Sequence, residues 1–186
     1  RTIDLLSSIE PTLCTAECSI HHLYFSDEDL KNYNTNLKML PVIRTEEDRI
    51  ALRNAVINNQ IQVISSFHTP IEDDLKKCEF QNAAYGASAL QAFLAQILSS
   101  FDYENICDQV IEAFTSKPRA VLNLEIPKIS TGATANLTIW DPEQRWKLND
   151  DTNFSKSTNH PLWGRELKGK VKATINGNSL NSQMSN

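Results

Sequence analysis

Four histidines and four cysteines are the side chains of this sequence best suited to hold a metal or move a proton. Cys14-x3-Cys18-x2-His21-His22 offers thiolate and imidazole donors, the ligand chemistry of a structural zinc site. The spacing argues against closure. On a strand, Cys14, Ala16 and Cys18 share one face about 13 Å long, too extended for a tetrahedral cluster. Buried, apolar thiols are the expected state. His68 near Glu72 and Asp73 has the composition of an acid–base pair, for which a loop salt bridge or a cap is the expected use. Glu17 stands on a candidate strand, and a structural hydrogen bond is its expected role. His160-Pro161-Leu162-Trp163-Gly164 sets an imidazole beside an indole, and there packing is favoured over ligand binding.

Helices and strands must position these groups. Residues 3–9 carry apolar side chains at helical spacing, closed by Pro11. Residues 12–18 read as a strand. A loop runs from Ser19 to Ile43, with a short helix at 26–30 capped by Ser26. Thr45-Glu46-Glu47-Asp48 resembles a capping box and opens a helix to Asn58, with Leu52, Ala55 and Val56 inward. Residues 61–67 form the next strand, and a polar loop follows to Gly86. Leu90, Phe93, Leu94, Ile97 and Leu98 then define a helix over 87–101. Tyr103, Ile106, Cys107, Val110, Ile111 and Phe114 define a second, over 103–114, ending before Pro118. The stripe Phe93, Phe101, Phe114 reads as core.

Beyond Pro118 the period changes. Residues 135–140 read as a strand stopped by Asp141-Pro142. Val171, Ala173 and Ile175 alternate with Lys172 and Thr174, and Asn176-Gly177 supplies a hairpin turn. Residues 179–186 look frayed. Alternating β and α followed by short strands predicts an α/β protein: the end of a (β/α)8 barrel and a small β-rich domain.

A length of 186 residues with 40% hydrophobic and 22% charged content suits an ordinary packed domain or pieces of two. The net charge of -5 argues against a general nucleic-acid binder, and Lys168, Lys170 and Lys172 alternate as a solvated strand face would. No apolar run approaches the ~18 residues of a membrane span, and the start of the chain lacks a signal-peptide core. Cytoplasm is the expected compartment, which makes the sequons at Asn136 and Asn153 chance matches.

Motifs in order carry a family resemblance. Thr15-Ala16-Glu17-Cys18-Ser19-Ile20-His21-His22-Leu23 resembles T-A-E-V-T-P-H-H-L of the dihydroorotase family. Residues 38–49 resemble K-M-N-P-P-L-R-T-E-E-D-R, and residues 80–91 resemble F-x-x-A-P-F-G-I-V-G-L-E, with Tyr85-Gly86 kept. Lys117-Pro118, Gly132-Ala133, residues 137–142 and Phe154-Ser155-Lys156-Ser157 continue the match. Residues 63–71 resemble a catalytic strand and loop that in the family reads roughly I-A-T-D-H-A-P-H.

The resemblance implies a TIM-type barrel portion over 1–118 and a small domain over 119–186 that completes a composite β-sandwich. It also implies lost chemistry. Phe67 stands where the family has its last metal ligand and general base, and Ile71 where it has a substrate-binding His. Leu40 replaces a substrate-binding Asn and Ala84 a Pro of the substrate loop. The His21-His22 pair does not bind metal in the family, and 160–164 matches a loop of its β-domain. No catalytic, substrate or metal residue is expected in this chain. The family's other ligands precede the segment that Arg1 resembles, so the chain is expected to be the C-terminal portion of a longer protein. Two barrel strands are not expected to fold alone. The implied function is a catalytically inactive, dihydroorotase-like protein of pyrimidine biosynthesis. Its expected partners are its own N-terminal portion, further copies of itself and aspartate carbamoyltransferase, with no nucleic acid or membrane. The alternative is an active metal-dependent dihydroorotase or related cyclic amidohydrolase, with zinc held by residues outside this chain.

Overall fold

The computed structural model describes residues 2–10, 14–101 and 106–182. The expected Pro11 stop, the strand start at Thr12 and the helix position Tyr103 lie outside them. The element order is α1 (Thr2–Leu6), β1 (Glu17–Ser19), α2 (Ile20–Tyr24), α3 (Glu46–Ile57), β2 (Val63–Ser65), α4 (Phe93–Phe101), α5 (Asp108–Phe114), α6 (Ser116–Val121), β3 (Asn136–Lys147), β4 (Glu166–Asn176) and β5 (Ser179–Ser182). Single 3-10 turns interrupt the connections, including Asp27–Leu30 and Leu90–Ala92.

β1 and β2 pair in parallel, with Cys18 opposite Ile64. A parallel pair needs a crossover, which α2 and α3 supply. Cys18 and Ile64 point into a core shared with Ile20, Leu23, Val56, Ile97 and Val110. α3 begins as its sequence dictates. The Thr45 hydroxyl accepts the Asp48 amide at 3.3 Å, and Ala55 and Val56 are buried. Its arginines cap the neighbouring helix: Arg53 donates to the Leu23 carbonyl and Arg49 to the Tyr24 carbonyl, both at 2.7 Å. Positive charge there also suits the α2 C-terminus.

β3, β4 and β5 form an antiparallel sheet in that order. It joins the helical layer through a second core containing Phe25, Met39, Ala95, Leu148, Leu162 and Leu167. The contact is close at Gly169, where a Cβ would lie 2.2 Å from Leu98 Cδ1. The hairpin forms as expected, one residue along. Gly177 (φ +57°) is the first residue of its two-residue loop, a place that requires glycine. Lys168 and Lys172 face solvent-side acids, pairing with Glu143 and Asp141.

Several expectations are corrected. The segment after β1 is helical, because Ser19 caps α2 through the His21 amide at 3.1 Å; five residues are too few to show a period. Both parallel strands are shorter than their apolar runs, and α1 ends at Leu6. Leu90 is 62% exposed, since a 3-10 turn turns it off the apolar face before α4 begins. α5 ends at Phe114 as expected, but a further helix, α6, runs through Pro118, because that residue sits in its first turn, where its missing N–H has no partner to lose. β3 passes through Asp141-Pro142 by a bulge: the Asp141 carboxylate accepts the Glu143 and Gln144 amides, and pairing resumes at Arg145. Ser179–Ser182 pairs with β4 instead of fraying.

Gly169 generates a test. Gly169→Ala in the full-length protein should cost about 2–3 kcal/mol by urea denaturation, from overpacking and a positive φ of +93°. Adding Leu98→Ala should recover part of that loss, a favourable coupling in a double-mutant cycle.

Candidate functional site

The end of β2 positions Phe67, and the loops that meet at Gly86 carry Leu40, Ile71 and Ala84. β2 stops at Ser65, and Phe67 two residues on takes a left-handed backbone, φ +47°. That conformation costs a non-glycine residue about 1–2 kcal/mol, so the surroundings must impose it. The Thr69 hydroxyl donates to the Phe67 carbonyl at 3.2 Å, and the Ser66 hydroxyl accepts the His68 amide at 3.3 Å. The Thr69 amide donates to the Ala87 carbonyl at 2.8 Å. The Phe67 ring is 37% exposed.

Gly86 gathers the remaining positions. Its amide donates to the Lys38 carbonyl at 2.9 Å, two residues before Leu40. A Cβ on it would stand 2.8 Å from Thr69 Cγ2 and 2.9 Å from Ile71 Cγ1. Ala84 lies two residues before it. The Asn159 amide group donates to the Thr69 carbonyl at 3.1 Å and the Gly86 carbonyl at 3.4 Å. The Ser157 hydroxyl donates to the Ile71 carbonyl at 2.6 Å. The segments carrying Leu40, Ile71 and Ala84 therefore meet around one backbone. Leu40 itself is 62% exposed and Ile71 half-buried. None of Leu40, Phe67, Ile71 or Ala84 has a side chain that can accept a proton or coordinate a cation.

His68 does not pair with Glu72 or Asp73. Its Nδ1 accepts the Ala89 amide at 2.9 Å and the Leu90 amide at 3.3 Å, capping the turn before α4. That leaves the ring proton on Nε2, and burial holds its pKa below the ordinary value. Asp73 instead binds Lys77 at 2.8 Å and the Thr158 hydroxyl at 2.5 Å. Hydrogen bonds from Lys77 and then Thr158 keep its carboxyl below the usual range. His68 also lines a cleft of about 840 Å³ between the 3-10 turn Leu90–Ala92 and the sheet, with Leu90, Gln91, Trp146 and Phe154.

The cysteine–histidine constellation is dispersed. Cys14 is exposed, and Cys18 is buried with its thiol pushed up to about 12 by desolvation and then by the Glu17 charge. Glu17 itself is exposed. His22 Nε2 lies 3.0 Å from the Pro41 carbonyl. His160 and Leu162 are buried and Trp163 packs against the second core. Among the described residues no group of three or more His, Cys, Asp or Glu could hold a metal ion. Leu40, Phe67, Ile71 and Ala84 offer no lone pair to the zinc that the family resemblance implies.

Sequence reasoning passed over Lys76 and Asn159. Lys76 is 5% exposed, and its ammonium donates to the Thr35, Lys38 and Ala84 carbonyls at 2.9, 3.2 and 2.8 Å. Burial and then the nearby Lys38 push its pKa down to about 8. Nothing in Asp73-Asp74-Leu75-Lys76-Lys77 distinguishes it from a solvated charge run. Lys76→Met should cost about 3 kcal/mol, because three carbonyls lose a charged donor at once. Hydrogen exchange at Ala84 and Gly86 should accelerate alongside the fall in the urea midpoint.

No family model matches the chain. It is 35% identical over 162 residues to a dihydroorotase of Aquifex aeolicus, covering 87% of this chain and 38% of that protein. Identity is 37% over 163 residues to a dihydroorotase of Sulfurihydrogenibium sp., covering 87% and 38%. The chain thus spans about 38% of the length of these relatives. L-Hydantoinase (dihydropyrimidinase) from Arthrobacter aurescens superposes with a TM-score of 0.84 over 99% of this chain and 43% of its own, at 18% identity. Dihydropyrimidinase from Brevibacillus agri gives 0.81 over 96% and 41%, at 15% identity. The structural likeness establishes the shared α/β fold of the amidohydrolase barrel proteins. Over the segment it spans, this chain belongs to the dihydroorotase family.

Proposed function

We propose that the chain is the C-terminal part of a dihydroorotase-like protein that has lost cyclic-amide hydrolysis and serves as a structural or regulatory partner of aspartate carbamoyltransferase. On this reading residues 1–118 complete a (β/α)8 barrel and residues 119–186 a small β-sandwich-like domain with the protein's own N-terminal portion. The protein works in pyrimidine biosynthesis, in the cytoplasm, as a homo-oligomer. Among the described residues no helix is long and apolar enough to cross a membrane.

Phe67 carries the proposal. It stands after β2 where the family places a carboxylate that binds metal and takes a proton, and a benzyl group does neither. Ile71, on the segment beside Gly86, lacks the imidazole that would hold substrate. The partner assignment rests on family members that lack metal ligands and associate with the transcarbamoylase. The scaffold is compatible with such a role, since caps, core and hairpin are all formed. Fold alone does not supply the function.

The full-length protein should show negligible hydrolysis of dihydroorotate and negligible cyclisation of carbamoyl aspartate. Loss of the general base alone removes about 10²–10⁴-fold. Phe67→Asp alone should not restore turnover while Leu40 and Ile71 remain. Metal analysis should find no ion whose retention depends on His68. Co-purification and sizing with the transcarbamoylase test the partnership. Ordinary turnover would establish a working cyclic amidohydrolase instead, and a transcarbamoylase that assembles normally without this protein would remove the scaffold role.

A further inference from the structure

Three imidazoles from distant parts of the chain surround the short segment 87–89. His68 pairs beside Ala87 as an isolated parallel bridge and accepts the Ala89 amide through Nδ1. His21, on α2, is 1% exposed, and neither ring nitrogen has a hydrogen-bond partner. The Ala87 backbone lies near enough to favour its proton without closing a bond. His160 is 3% exposed; its Nδ1 accepts the Leu162 amide at 3.0 Å, and its Nε2 has no partner. The joint is completed by the Ser88 amide, which donates to the Asn159 carbonyl at 3.2 Å. It links the helical layer to the loop at 155–164.

The charged neighbours are all of one kind. His21 faces His160, His22 and His68, and His160 faces His68. No carboxylate acts on either ring. A proton on His21 would be a buried cation with no anion to meet it, and each further proton in the cluster would be repelled by the first. Opening the joint lets both rings reach water.

We propose that His21 and His160 form an acid-sensitive latch, whose protonation releases the loop at 155–164 from the segment at 87–89. Desolvation, followed by the neighbouring imidazoles, lowers His21 from 6.5 to about 3. Desolvation lowers His160 from 6.5 to about 4; the Ala89 backbone lies near enough to favour its proton, and His68 opposes it. The opened form therefore takes up protons first. The latch holds at full strength above about pH 6.5 and weakens progressively as pH falls toward the depressed values. Its release would loosen Asn159 from the Thr69 and Gly86 carbonyls.

The test uses the full-length protein between pH 7.5 and 4.5. Hydrogen exchange, corrected for the intrinsic rate, is read at the 87–89 and 157–162 amides and compared with the amides of α3. Local opening should grow as pH falls, before the α3 amides respond. His21→Leu with His160→Asn keeps an acceptor for the Leu162 amide and removes both titrating rings. That variant should move the onset of opening at least about one pH unit lower while leaving exchange at pH 7.5 unchanged. An unchanged onset would overturn the latch, as would simultaneous opening of α3. Should the variant not fold, imidazole NMR titration of the unaltered protein decides. Protonation of His21 and His160 coincident with loop release supports the latch, and protonation near 6.5 with the joint closed refutes it.

Discussion

Gly86 is where three stretches of chain distant in sequence must approach one backbone. The segment before α3 takes its amide, Asn159 takes its carbonyl, and Thr69 and Ile71 fill the space where any side chain would begin. Its φ of +140° excludes ordinary residues on conformational grounds as well. The loops that hold Leu40, Ile71 and Ala84 have few regular elements of their own, so they are positioned by these bonds and by the Lys76 ammonium.

The same crossing explains why the two halves of the molecule are not independent. Ser157 and Asn159 belong to the loop between β3 and β4, yet their partners are the Ile71, Thr69 and Gly86 carbonyls near the end of β2. Gln91 reinforces the tie from the helical side, donating to the Thr152 carbonyl and accepting the Phe154 amide. Lys38 adds a charge held by the Phe80 and Gln81 carbonyls and set 4.8 Å from the centre of the Tyr85 ring. These contacts are backbone-directed for the most part. Apolar side chains can replace polar ones at positions 40, 67 and 71 without disturbing them.

How much of this was legible in the sequence follows from the range of the forces involved. Thr45 and the Asn176-Gly177 pair announce themselves because a cap and a hairpin are decided within four residues. The helical face of Ile97 and Leu98 is legible for the same reason, being a local periodicity. α2 was hidden because its capping bond and its arginine partners on α3 matter more than its five residues. Pro142 masked β3, whose continuity is enforced by β4 across the bulge. At the site, the identities of Phe67 and Ile71 could be read from a family pattern. The roles of Lys76 and Asn159 could not, because both are defined by carbonyls from other segments. His68 was visible as a titratable side chain, but its use as a cap depends on the fold bringing residues 89 and 90 to it.

The backbone at residue 67 decides which side chains sit there without strain. Aspartate and asparagine enter the left-handed region more readily than phenylalanine, since their short polar side chains can bond locally. At φ +47° the bulky ring is therefore the less comfortable tenant. The turn keeps its path under a side chain ill suited to it, because the neighbouring Ser66, Thr69 and Ala87 bonds dictate that path and the side chain at 67 does not.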